Sequence, residues 1–99
     1  MKYKLIFSEP AAQDLAEIGV YLSETLQARE AASHFYEQVT ECLERVCTFP
    51  MMYELCAQKP IYHKAVIGNY IMLYEYKEDE QTIYVHRFFY GRRDFYKDI

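Results

Sequence analysis

Glycine and proline are scarce in this chain, three of each among 99 residues, which excludes a flexible linker or a low-complexity segment of any length. No stretch recurs at a fixed period, so stacked-repeat architectures are excluded as well. The three cysteines, Cys42, Cys47 and Cys56, are odd in number and show no Cys-x-x-Cys spacing. That argues against a disulfide framework and predicts reduced, buried thiols. No apolar run approaches the roughly 18 to 20 residues needed to cross a bilayer. The basic start, Met1 to Phe7, reaches Ser8-Glu9-Pro10 before the apolar core of a signal peptide could form, so the expectation is a cytoplasmic protein with no membrane role. Metal-ligand spacing, a phosphate-binding glycine loop and a serine–histidine–acid arrangement are all missing, and no cofactor or metal is expected.

What the chain does have is apolar content. At 52% hydrophobic residues it holds enough for one compact core and too little for two, which predicts a single domain over residues 1–99. The net charge of −4 is uneven: residues 1–58 carry four Lys/Arg and nine Asp/Glu, whereas residues 59–99 carry seven and six. An acidic chain is poorly suited to bulk nucleic-acid binding, which draws its affinity from a basic face. The cations concentrate near the C-terminal end, where Arg87, Arg92 and Arg93 surround Tyr90 and Gly91 after an aromatic run, and that cluster is the first candidate for function.

The periodicities predict the elements. Lys2 to Phe7 reads as a strand closed by Ser8. Ser8 then suits a helix N-cap, with Pro10 in the first turn and the stripe Ala11, Leu15, Ile18, Leu22 defining a helix over about residues 9–25. A second stripe, Ala32, Phe35, Val39, Leu43, Val46, ends at Pro50. The connection near Leu26 to Arg29 is short, so the two helices form an antiparallel hairpin. Residues 50–62 look irregular. His63 to Ile67, the turn Gly68-Asn69, and Tyr70 to Tyr76 read as a β-hairpin, and Thr82 to Phe89 as the next strand. The expected fold is α+β: order β-α-α-β-β-β, the helix hairpin packed on a mainly antiparallel sheet of about four strands. Tyr70, Met72, Tyr74 and Tyr76 alternate on one side of their strand, as core residues of a half-buried sheet do.

This order resembles the RelE/ParE superfamily, the toxins of type II toxin–antitoxin modules. The likeness runs from Phe7-Ser8 through Ala12-x-x-Leu15-x-x-Ile18, Ala31-Ala32, Phe49-Pro50, Gly68-Asn69-Tyr70 and Tyr74 to Val85-x-Arg87 and Gly91-Arg92-Arg93-Asp94. It implies a growth-inhibiting toxin neutralised by a cognate antitoxin. Two targets occur in the superfamily: ribosome-bound messenger RNA, which RelE-like members cut, and DNA gyrase, which ParE-like members inhibit.

The nuclease pattern is incomplete here. Ribosome-dependent relatives place an arginine after the aromatic that opens the middle strand, and this chain has Ile71. Another branch ends its last strand in His-Tyr, and this chain has Phe89 and Tyr90. Arg93 matches a nuclease arginine, and Tyr96 only approximates the tyrosine expected beyond it. The resemblance therefore sits nearer ParE than RelE, a contact protein rather than an enzyme, with gyrase and the antitoxin as partners. Arg92, Arg93, Tyr90, Arg87, Phe95 and Tyr96 are the expected contact residues. The alternative is a metal-independent endoribonuclease built on Arg93, Tyr90, Lys64 and Arg87. Lys59, His63 and Lys64 also read as residues that keep an edge strand solvated. Strand alternation sends His86 and Arg87 to opposite faces, with Arg87 beside Ile83, Val85 and Phe89. Arg87 is either paired to an acid from the helices or lines a groove.

Overall fold

A computed structural model describes residues 2–25 and 28–91. Ser8 starts the first helix as its sequence suggests: its hydroxyl accepts from the Ala11 amide at 3.0 Å and donates to the His86 carbonyl at 2.7 Å. One side chain thus caps helix α1 (Glu9–Val20) and fastens it to the last strand. The helix continues through one wider π-helical turn, Tyr21–Thr25, and helix α2 spans Arg29–Thr48. Gly19 allows the two helices to close on each other, because a Cβ there would lie 1.8 Å from the Tyr36 hydroxyl. No helix among the described residues is long and apolar enough to cross a membrane.

The sheet has five strands: β1 (Lys4–Phe7), β2 (Leu55–Cys56), β3 (Lys59–Ile67), β4 (Tyr70–Lys77) and β5 (Thr82–Tyr90), in the order β1-β5-β4-β3-β2. Only β1 and β5 run parallel; the other neighbours are antiparallel. The α+β layout and the element order agree with the sequence reading. The count of about four strands is corrected to five by the two-residue β2, and β3 begins at Lys59 rather than His63. Pro60 hid that start, since proline weakens a strand reading, yet it is tolerated near an edge where its missing N–H is not needed.

Both helical stripes and the even positions of β4 meet in one core, with Phe35, Val39, Val46, Met72, Tyr74, Ile83 and Val85 buried and Leu15, Ile18, Tyr70 and Tyr76 packed against them. All three thiols are buried and free of disulfides, and burial pushes Cys42 and Cys47 above the usual thiol range. Tyr74 donates to the Pro50 carbonyl at 2.7 Å, tying the loop after α2 to the sheet.

The β3–β4 turn is closed by Ile67 opposite Tyr70, and Gly68 takes φ 60° with the Gln38 side chain 3.3 Å from where a Cβ would sit. Gly68→Ala is therefore expected to cost about 1 kcal/mol in a urea unfolding curve, from the left-handed backbone and the tight contact together.

Candidate protein-contact site

At β5 the ladder to β4 slips: Tyr74 faces Val85, but Leu73 faces Arg87, which leaves His86 with no partner on β4. This β-bulge breaks the two-residue alternation. Before it, Ile83 and Val85 face the helices; after it, Phe88 does, and Phe89 turns with Cys56, Ile71, Leu73 and Tyr62 to the face that carries no helix among the described residues, the helix-free face. The expectation that Arg87 shares a face with Ile83 and Val85, and that His86 and Arg87 point to opposite faces, is overturned for this reason. His86 stacks on Tyr62 of the helix-free face, at 4.3 Å between ring centroids and 13° between planes. Arg87, registered with Leu73, lays its guanidinium 4.7 Å from the centre of the Phe89 ring.

Arg87 sits where β5 has outrun β1 and would have an open edge. Asp14 of α1 fills that place: it accepts from Arg87 Nε at 2.6 Å, from Arg87 Nη2 at 3.1 Å and from the Phe88 amide at 3.0 Å. The carboxylate thus replaces a strand as acceptor for the edge and binds the guanidinium as a fork. Both alternatives read for Arg87 are realised: it pairs with a helical acid, and it lines the cleft beside that pair.

Beside this pair lies an open cleft of about 550 Å³ between α1 and the sheet end, lined by Asp14, Ile18, Tyr21, Tyr70, Phe88 and Tyr90 among others. Tyr90 is 41% exposed. Its ring meets the edge of Tyr70 at 5.7 Å, and Tyr70 in turn packs on Phe35 of the core. Gly91 is required by close approach rather than flexibility: its amide donates to the Asn69 carbonyl at 2.8 Å, and a Cβ would come within 3.2 Å of Ile71. Arg92, Arg93, Phe95 and Tyr96 lie outside the described residues.

Of the alternative nuclease set, Arg87 and Tyr90 both line this cleft, Lys64 does not, and Arg93 lies outside the described residues. Lys64, Leu73 and Arg87 form one row across β3, β4 and β5 on the helix-free side, whereas Tyr90 joins Tyr70 and Ile67 in a row that faces the helices. Lys64 and Tyr90 therefore address opposite faces. The His63 ring stacks on Tyr74, and its Nδ1 lies 2.6 Å from the Tyr53 carbonyl, so it is a packed residue. Lys59 opens β3 and pairs with Cys56 of the edge strand.

Sequence reasoning missed Asp14 as the partner of Arg87 and missed the bulge. Burial first, then the neighbouring Arg87 charge, hold His86 below its ordinary value of 6.5, with Glu75 and Asp14 acting in the opposite sense. A histidine depressed in the folded state stabilises the fold fully above about pH 6.5, and that contribution falls as pH drops below it, because the unfolded chain takes the proton more readily. Stability measured by urea unfolding is expected to decline from pH 7 to pH 5 more steeply in the native chain than in His86→Gln.

Two helices on a five-stranded mixed sheet define a small α+β fold that this chain shares with toxins of known structure. A chain of the chromosomal ParDE toxin–antitoxin system from P. aeruginosa superposes with a TM-score of 0.73 at 15% identity, covering 90% of this chain and 96% of that one. The free E. coli RelE toxin, as a double mutant, gives 0.68 at 19%, over 99% and 93%. The RelBE2 toxin–antitoxin complex from Mycobacterium tuberculosis gives 0.65 at 17%, over 91% and 99%. No curated protein matches the chain by sequence. The family model for the ParE toxin of type II toxin–antitoxin systems matches residues 5–95. This chain belongs to that family.

Proposed function

We propose that this toxin is a single domain over residues 1–99, acts in the cytoplasm by protein contact, inhibits DNA gyrase, and is neutralised by a cognate antitoxin. The observation that carries the target reading is the Ile71–Phe89 pair. These residues stand where nuclease relatives would carry the arginine and the histidine, and they are cross-strand partners. Both fall into one apolar cluster with Cys56 and Leu73. The helix-free face at that point therefore offers hydrocarbon where RNA cleavage needs a phosphate clamp and a proton carrier. The solved relatives include toxin–antitoxin complexes, which supports the antitoxin as partner. Tyr90 and Arg87 at the cleft, with Arg92, Arg93, Phe95 and Tyr96 later in the sequence, supply the contacts; aromatic and arginine side chains are those that dominate protein interfaces.

Among the described residues the Lys64–Leu73–Arg87 row favours the nuclease reading, since it sets two cations in one row of the sheet, one of them held by Asp14. Primer extension on translated messages after induction separates the two. No new 5′ ends are expected; new ends that disappear in Arg93→Ala would establish the endoribonuclease instead.

A further inference from the structure

The helix-free face also carries a small hollow beside the apolar cluster, sharing Tyr62 with it, that the contact site does not use. It encloses about 220 Å³ between Tyr62 of β3, Glu75 of β4, and Tyr84 and His86 of β5, with Ile6 of β1 among its lining residues. All four walls are half-buried. Glu75 stands opposite Tyr84 in the ladder, and Tyr62 stacks on His86. The Tyr84 hydroxyl donates to Glu80, which holds its ring in place.

The charge in this hollow is negative. Burial first, then Glu75, raises Tyr62; the bond to Glu80 is the main cause for Tyr84, to which Glu75 adds least; and Glu75 opposes the burial and Arg87 that lower His86. His86 is nevertheless held below 6.5 by burial and by Arg87, so it adds no positive charge at neutral pH. Lys77 approaches Glu75 at 3.8 Å, with the two side chains 47% and 35% exposed. An ion pair that long and that wet is weak and readily exchanged for a better cation.

Aromatic faces around a carboxylate are the chemistry that holds an organic cation, by the ring quadrupole and by direct charge. The volume suits one guanidinium or ammonium head and is too small for a peptide segment. We propose that the Tyr62–Glu75–Tyr84–His86 hollow is a receptor for a cationic side chain, arginine before lysine, presented by a protein that docks on the helix-free face. Arginine is favoured because its planar head both stacks on a ring and forks to a carboxylate. The same hollow has the wrong sign for a phosphate. This site stands whether the toxin acts on gyrase or on another protein.

The test is a titration of the full chain, followed by NMR of the aromatic rings, with N-acetyl-arginine amide and with its neutral isostere N-acetyl-citrulline amide. Saturable shifts of Tyr62, Tyr84 and His86 are expected with the arginine probe and not with citrulline. Glu75→Gln is expected to weaken the arginine probe about tenfold, and Tyr84→Leu about threefold. Each variant is compared only if its amide spectrum overlays that of the native chain, and either one alone decides the matter. Equal shifts with both probes, undiminished binding in a folded variant, or no shift up to roughly 0.1 M arginine probe overturns the proposal.

Discussion

Replacing Asp14 with alanine is expected to lower the stability of the fold by about 2–4 kcal/mol, because it removes the carboxylate that forks to a half-buried guanidinium and accepts from a strand amide. The carboxylate is only 14% exposed and Arg87 26% exposed, so water compensates little for what is lost. The Phe88 amide points to the edge that β1 leaves uncovered, and Asp14 Oδ2 accepts from it at 3.0 Å. Asp14→Asn keeps one carbonyl for the amide while removing the charge opposite Arg87, and is expected to fall about halfway. Urea unfolding at neutral pH reads both. An alanine variant within about 0.5 kcal/mol of the native chain would mean that the Asp14–Arg87 pair is a surface contact of ordinary, small value.

Ile71→Arg is expected to cost about 3 kcal/mol without creating RNA cleavage, although it restores an arginine where nuclease relatives have one. Ile71 is 7% exposed and clusters with Cys56 and Leu73, facing Phe89 across the ladder. An arginine placed there meets hydrocarbon and has no acid among those neighbours. The expected readings are a lowered midpoint in urea and unchanged message integrity by primer extension. A stable variant that cuts translated messages would show the face to be a nuclease site lacking one group.

Local patterns carried most of the fold. Ser8 and Pro10 marked the start of α1, the stripes of α1 and α2 named the residues that reach the core, and Gly68-Asn69 marked the β3–β4 turn. What stayed hidden was non-local. Asp14 and Arg87 are separated by 73 positions, and nothing in either neighbourhood announces the other. The bulge at His86 is a mismatch between two strands, so it cannot be seen in one of them. It alone reverses which residues of β5 face the helices. The short β2 was hidden because two residues carry no periodicity. Of the candidate residues that are described, Tyr90 faces the helices while the Arg87 backbone position belongs to the other face, a division that depends on strand register and not on residue type.

If this ParE-family toxin works by contact with gyrase, as proposed, purified toxin titrated into a supercoiling reaction lowers the rate of supercoiling, and Tyr90→Ala, which removes an exposed ring from the cleft, restores it. Undiminished supercoiling at a large excess of folded toxin rules that contact out.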